Sequence, residues 1–243
     1  MMFALTSNVD FVSDDFLEIA YQPLKKLPLT VFMTGKSEYL EKEIQKNTLW
    51  EVEPHPNFCS GSTHGNSQKE VFETIKAFQG EGMGFRCHKY YSSNEIEEEF
   101  VQQGFAYASN ICTDLSNISP FWDRCGIFQI PIFFEDGGYL KYHGIPKVEE
   151  ISKKMTQDGI YVFNFHPIHL VLNSFDFNEV RCFKDSMSSK HYSSLSAKDA
   201  FLYRNTGYGV ADFLKELLEY AGKYEINFIN LKQYYEKYKA NCI

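Results

Sequence analysis

The sequence predicts an α/β fold built on a parallel sheet or a barrel. Three observations carry this: short apolar runs, amphipathic stretches that alternate with them, and polar residues that collect where the runs end. Parallel strands are buried on both faces and read as near-continuous apolar segments, and chemistry gathers in the loops that follow them. Asp10, His55, Arg86, Asp136 and His166 each stand at or just past the end of such a run. That pattern points to a single site at one end of the sheet.

In chain order, the run Phe3 to Val9 leads into a helical pattern over Asp14 to Leu24. Leu29 to Met33 is followed by Glu38 to Gln45, opened by Ser37. Leu49 to Val52 precedes a helix over Lys69 to Phe78, where Ser67 and Glu70 stand at capping-box spacing. Gly84 to Arg86, the helical Asn94 to Gln103 and the run Phe105 to Ala108 come next. The longest apolar run, Gly126 to Phe134, is followed by a helix over Val148 to Met155. Ile160 to Phe165 alternates as a strand should, and Ala211 to Tyr220 has amphipathic helical spacing. Strand and helix in turn give the α/β class. Asp185 to Lys198, rich in Ser and Lys, reads as a solvated surface connection, with a mobile loop beside the site as the other reading.

At 243 residues without a Pro/Gly/Ser linker or a repeat, the chain reads as one domain, 1–243. A formal charge of −8 leaves no basic stripe for a phosphate backbone, which argues against nucleic acid as a partner. Cys59, Cys87, Cys112, Cys125, Cys182 and Cys242 form no CxxC pair and read as reduced thiols. The N-terminus lacks a basic region with a long apolar core, and no apolar run is long enough to span a bilayer. A soluble cytoplasmic protein is the expectation.

The polar residues divide by chemistry. His55 ends a strand, and His64 lies in the loop Gly61-Ser62-Thr63-His64-Gly65. With Asp10 the two imidazoles would make a two-His, one-carboxylate metal set that keeps positions open for water. Arg86 ends its strand with a guanidinium that can orient a carboxylate in a bidentate pair or form a structural salt bridge. Glu135-Asp136-Gly137-Gly138 places two carboxylates and a turn after the longest run. His166 with a nearby Asp reads as a general acid whose pKa the carboxylate holds up. His169 reads as a core histidine.

These residues resemble the motifs of the NodB-type polysaccharide deacetylases, carbohydrate esterase family 4, in a branch associated with surface-polysaccharide biosynthesis. The resemblance runs from Thr6 to His169. Thr6-Ser7-Asn8-Val9-Asp10-Phe11 is similar to the family's acidic motif, with Asp10 at the metal aspartate. Glu51-Val52-Glu53-Pro54-His55 with His64 is similar to the paired-histidine motif, although Cys59 stands at the usual spacing of the second histidine. Phe85-Arg86 resembles the motif whose Arg orients the catalytic base, and Asp136 and His166 resemble the later Asp and proton-donating His.

The resemblance implies a distorted (β/α) barrel of about seven parallel strands and a divalent cation, zinc first, with cobalt, manganese or iron also accepted by such ligands. It implies hydrolysis of the N-acetyl group of an amino sugar or polysaccharide precursor, with acetate released and His166 protonating the amine. One departure stands out: where the family has its base, an aspartate just before the metal aspartate, this chain has Asn8 and Val9. Asp14 is the nearest replacement, followed by Asp15 and Glu53, and Asp14 equally suits the first turn of a helix. Phe and Tyr, 22 and 16 in number, offer rings for sugar stacking, most of them being core. Alternatives are a weakened metal- and glycan-binding protein that has lost its base, a metal amidohydrolase acting on a non-sugar amide, and isomerase or lyase chemistry on the same barrel, for which no phosphate-binding Gly pattern appears.

Overall fold

A computed structural model describes residues 1–77 and 82–241. Its strands form two sheets. The first is parallel and runs in the order β3 (Trp50–Pro54), β2 (Leu29–Met33), β1 (Met2–Val9), β9 (Ile160–Phe165), β8 (Ile132–Glu135), with β10 (Asn227–Phe228) pairing the start of β1. The second runs β4 (Gly84–Phe85), β5 (Tyr107–Ala108), β7 (Phe128–Gln129), β6 (Phe121–Trp122), and only β6 is antiparallel.

The sheets meet where the Arg86 backbone N–H donates to Pro54 O at 3.2 Å and that of His88 to Pro56 O at 2.8 Å. The expected α/β class and mostly parallel sheet are present. The ladder is split into two sheets and is not one continuous seven-stranded barrel. The apolar run Gly126 to Phe134 shows why: it breaks into β7 and β8 at Ile130-Pro131, since Pro131 has no N–H to give a ladder.

The helices follow similar logic. α1 (Asp14–Ala20) stops before Pro23, which sits in a short 3₁₀ turn (Gln22–Leu24), so the expected single helix to Leu24 is two pieces. α2 (Glu38–Lys46) is capped by the Ser37 hydroxyl and α3 (Gln68–Lys76) by that of Ser67. The expected end of α3 at Phe78 lies outside the described residues, as does Cys242. α4 (Asn94–Gln102) and α6 (Val148–Ser152) occupy expected positions, whereas α5 (Asp136–Tyr142) and α7 (Pro167–Leu172) are additional. The Ser- and Lys-rich segment expected as a loop is largely helical: α8 (Phe177–Asp185), α9 (Ser189–Ser194) and α10 (Ala197–Phe201) are each capped by a Ser or Asp side chain. Residues that weaken a helix interior here serve as caps. α11 (Val210–Lys223) and α12 (Leu231–Asn241) complete the chain.

α12 closes the end of the sheets where the strands begin. Leu231 and Tyr235 are buried against Tyr107 and Phe128, and the Leu231 N–H donates to the Thr30 hydroxyl at 2.9 Å. Beneath it lies a buried acid pair. Glu51 accepts from the Lys232 N–H at 3.0 and 3.1 Å and from the Thr30 hydroxyl, and the Tyr107 hydroxyl donates to Glu51 at 3.1 Å and to Glu53 at 2.9 Å. Burial raises the Glu51 carboxyl from 4.5 to about 6, and burial with the Glu51 charge raises Glu53 well above its ordinary range.

The fold therefore holds protons that the unfolded chain has released. The stability this contributes is full below the unfolded value, 4.5, and is lost as pH rises through about 6. Denaturant midpoints are expected to fall between roughly pH 5 and pH 8, and Glu53→Gln to shrink that fall. An undiminished fall in the variant would exclude the pair as its source.

Candidate active site

Five strands deliver the site from one end. Because β1, β3, β4, β8 and β9 are parallel, the residues just after them, Asp10, His55, Arg86 with His88, Asp136 and His166, emerge side by side.

Asp10 is the hub. Its Oδ1 lies 3.3 Å from His55 Nε2 and 3.0 Å from His88 Nδ1, and its Oδ2 lies 3.7 Å from His166 Nε2. Burial would raise the Asp10 carboxyl, but contacts with His55 and His88 and the charge of His166 hold it well below the usual range. Phe11, the next residue, takes a left-handed φ of 59°, which is strained for a bulky side chain. Its N–H donates to the Thr34 hydroxyl at 3.3 Å, and its ring meets the edges of His64 and His88, each with centroids 6.2 Å apart.

The tautomer of His55 is fixed by its surroundings. Its Nδ1–H donates to Arg86 O at 2.6 Å, so the lone pair of Nε2 faces the Asp10 carboxylate. That Nε2 is buried and has no hydrogen-bond partner. Two electron-rich atoms facing each other at this distance call for a cation between them. An imidazole oriented by a carbonyl on its far nitrogen is the usual support for a metal ligand. Asp10, His55 and His88 bring one donor atom each within 4.8 Å of one another, so the donor set fits a divalent cation.

His64 is placed elsewhere. Its Nδ1 accepts from the Asn57 N–H at 3.1 Å and its Nε2–H donates to Thr34 O at 2.7 Å, so both ring nitrogens serve the backbone of neighbouring loops. His88 stands in the position expected of His64. The signal was available: His88 lies two residues beyond Arg86, on the same side of a strand's extension. Cys59, at the family's usual spacing, has its N–H on the Asn57 side chain and is not among the clustered groups.

Arg86 is fully buried, and no carboxylate pairs with it among the described residues, contrary to both roles expected of it. Its Nη1 donates to Thr6 Oγ1 at 3.0 Å, Asn8 Oδ1 at 2.9 Å and Asn164 Oδ1 at 2.5 Å. Nε donates to Ser109 O at 2.6 Å and Nη2 to Ser109 Oγ at 2.7 Å, while the guanidinium lies 4.2 Å over the Phe32 ring. Burial lowers its pKa to about 10, which leaves it charged at neutral pH.

Asn8, at the family's base position, is thus an acceptor for Arg86. Asp14 is engaged as well, accepting from the Ser37 hydroxyl at 2.6 Å and the Tyr39 N–H at 3.1 Å, which ties α1 to the start of α2. Asp15 is exposed, and Glu53 belongs to the acid pair under α12. None of the three joins the Asp10 cluster.

The other half of the site is His166 with two carboxylates. Asp136 Oδ1 lies 2.6 Å from His166 Nδ1, and Asp136 Oδ2 accepts the His166 backbone N–H at 2.7 Å. Glu135 Oε1 is 3.4 Å from the same Nδ1. Burial would lower the His166 pKa, but Asp136 above all, with Glu135 and Asp10, raises it to about 9. Glu135 folds back to cap α5 through the N–H groups of Gly137 and Gly138, and a Cβ on Gly138 would come within 2.6 Å of its oxygen. His169 is buried next to His166 with its Nδ1 unpartnered, and burial depresses its pKa to about 4.

A solved structure shares this architecture. A chain from Bordetella bronchiseptica described as a polysaccharide deacetylase involved in O-antigen biosynthesis superposes with a TM-score of 0.74 at 24% identity, covering 89% of each chain. At that identity it supports the fold. A Mycobacterium smegmatis polysaccharide deacetylase structure (TM-score 0.43, 14% identity, 95% and 93% covered) and a Streptomyces lividans family 4 carbohydrate esterase bound to acetate (0.38, 12%, 68% and 79%) are more distant. No curated protein matches the sequence. The family model for WbmS-like polysaccharide deacetylases matches residues 5–184, which spans every strand-end residue described above, and the chain belongs to that family.

Proposed function

We propose that this chain is a metal-dependent deacetylase that removes the N-acetyl group of an amino sugar or polysaccharide precursor, with Asp10, His55 and His88 holding the cation. The observation that carries the reading is the unpartnered, buried Nε2 of His55 aimed at Asp10. When bound, a divalent cation would polarise an acyl oxygen and bring the pKa of water toward neutrality. Zinc suits the His-rich set; cobalt, manganese and iron are accepted by the same ligands.

His166 supplies the proton. Its Nε2 faces the Asp10 cluster and its Nδ1 is held by Asp136, an orientation that presents Nε2–H to the departing sugar amine. Asp136 keeps the ring charged and fixed, Glu135 adds a second negative neighbour, and Arg86 acts through its carbonyl by fixing the His55 tautomer. Free thiols at the described cysteines and the absence of any membrane-crossing helix among the described residues suit a cytoplasmic location.

The test is acetate release from N-acetylated oligosaccharides by the metal-loaded protein. Release is expected to stop with chelator and to fall about a hundred- to ten-thousandfold in His166→Ala. Metal binding without acetate release from any of them would instead favour a glycan-binding protein or a hydrolase of another amide.

A further inference from the structure

A groove of about 930 Å³ is lined by Phe11, the residue after Asp10, and Asn57, and by Lys184, Lys190 and Tyr192. Phe11 follows Asp10 directly and touches the His88 ring, so the groove opens onto the site. The Tyr192 hydroxyl is buried without a hydrogen-bond partner and within the electrostatic reach of Asp10. A hydroxyl in that state is costly unless something in the groove takes its proton.

The charges lining the groove are also unmatched. Asp185, its one acid, lies 3.6 Å from Arg181 Nε on the same helix. The Lys184 ammonium sits 5.4 Å from the Tyr192 ring centroid, and among the described residues neither Lys184 nor Lys190 has a carboxylate within ion-pair distance. In a chain with a net charge of −8, two lysines left without counter-charges beside the site mark the place of an external anion.

We propose that the groove binds an acylated saccharide bearing a carboxylate or a phosphate, with Lys184 and Lys190 holding that anion while the Tyr192 hydroxyl donates to the sugar next to Asp10. The proposal deepens the deacetylase reading by naming its substrate class, and its binding half stands without catalysis. Lys190 is exposed and Lys184 half-buried at the end of α8, so substitutions there spare the core.

Isothermal titration of the full chain with three probes tests it: an N-acetylated oligosaccharide containing uronic acid, UDP-N-acetylglucosamine, and neutral chitotetraose. At least one charged probe is expected to bind about tenfold or more tighter than the neutral one, with a strong salt dependence. Lys184→Gln/Lys190→Gln is expected to erase both the advantage and the salt dependence, and Lys184→Arg/Lys190→Arg to keep them. Preference for the uronic acid or for the nucleotide sugar identifies the anion as carboxylate or phosphate. Equal affinity for neutral and charged probes, no binding of either charged probe, or an unaffected Gln variant would overturn the proposal. Charge-dependent binding without acetate release from the metal-loaded protein would leave it standing and remove the deacetylase reading instead.

Discussion

Arg86→Met is expected to leave the protein largely unfolded or with a sharply lowered melting temperature. The guanidinium donates to Thr6, Asn8, Asn164 and both the backbone and side chain of Ser109, all buried. Removing it orphans acceptors on β1, on β9 and just past the end of β5 at once. Each unmet buried group costs about 1–3 kcal/mol, and several are left unmet together. A domain of ordinary stability has only about 5–15 kcal/mol to lose. Arg86→Lys is expected to rescue little, because an ammonium cannot address these acceptors in the planar geometry of a guanidinium. Circular dichroism melts check this directly: a methionine variant melting within a few degrees of wild type would show that the network is dispensable.

Next in size is the exchange of roles between two histidines. Plasma mass spectrometry on purified variants is expected to find stoichiometric divalent metal in wild type and in His64→Ala, and little in His55→Ala or His88→Ala. Losing the cation removes several kcal/mol of transition-state stabilisation, on the order of a thousandfold in rate. His64→Ala is expected to cost stability alone, about 1–3 kcal/mol, because the Asn57 N–H and Thr34 O lose their partner. Metal lost with His64 and kept with His88 would reverse the assignment and restore the order that the family's motif suggests.

Both expectations turn on how much of the site can be read along the chain. Asp10, His55, Asp136 and His166 were legible because each follows an apolar run, and parallel strands must bring such residues to a common end. His88 was passed over, although its spacing from Arg86 keeps it on the same side of the strand's extension, because it opens a 3₁₀ segment beyond the apolar run, where Lys89 and Tyr90 take left-handed φ values. The helical content of residues 185–198 was hidden by serines, which weaken a helix interior yet here, as Ser188 and Ser196, cap two short helices in succession. The pairing of Arg86 could not be read at all, since hydrogen-bond partners from β1, β5 and β9 are far apart in sequence.

The sequence by itself determined the class of fold, the end of the sheet where chemistry collects, and the kinds of group found there, because strand burial and alternation are local properties of the chain. Only the tertiary structure decided which imidazole faces Asp10, that the interior cation is surrounded by neutral acceptors, and that Asp14 serves a helix cap. Those outcomes depend on distances between segments whose separation along the chain carries no information about their contact.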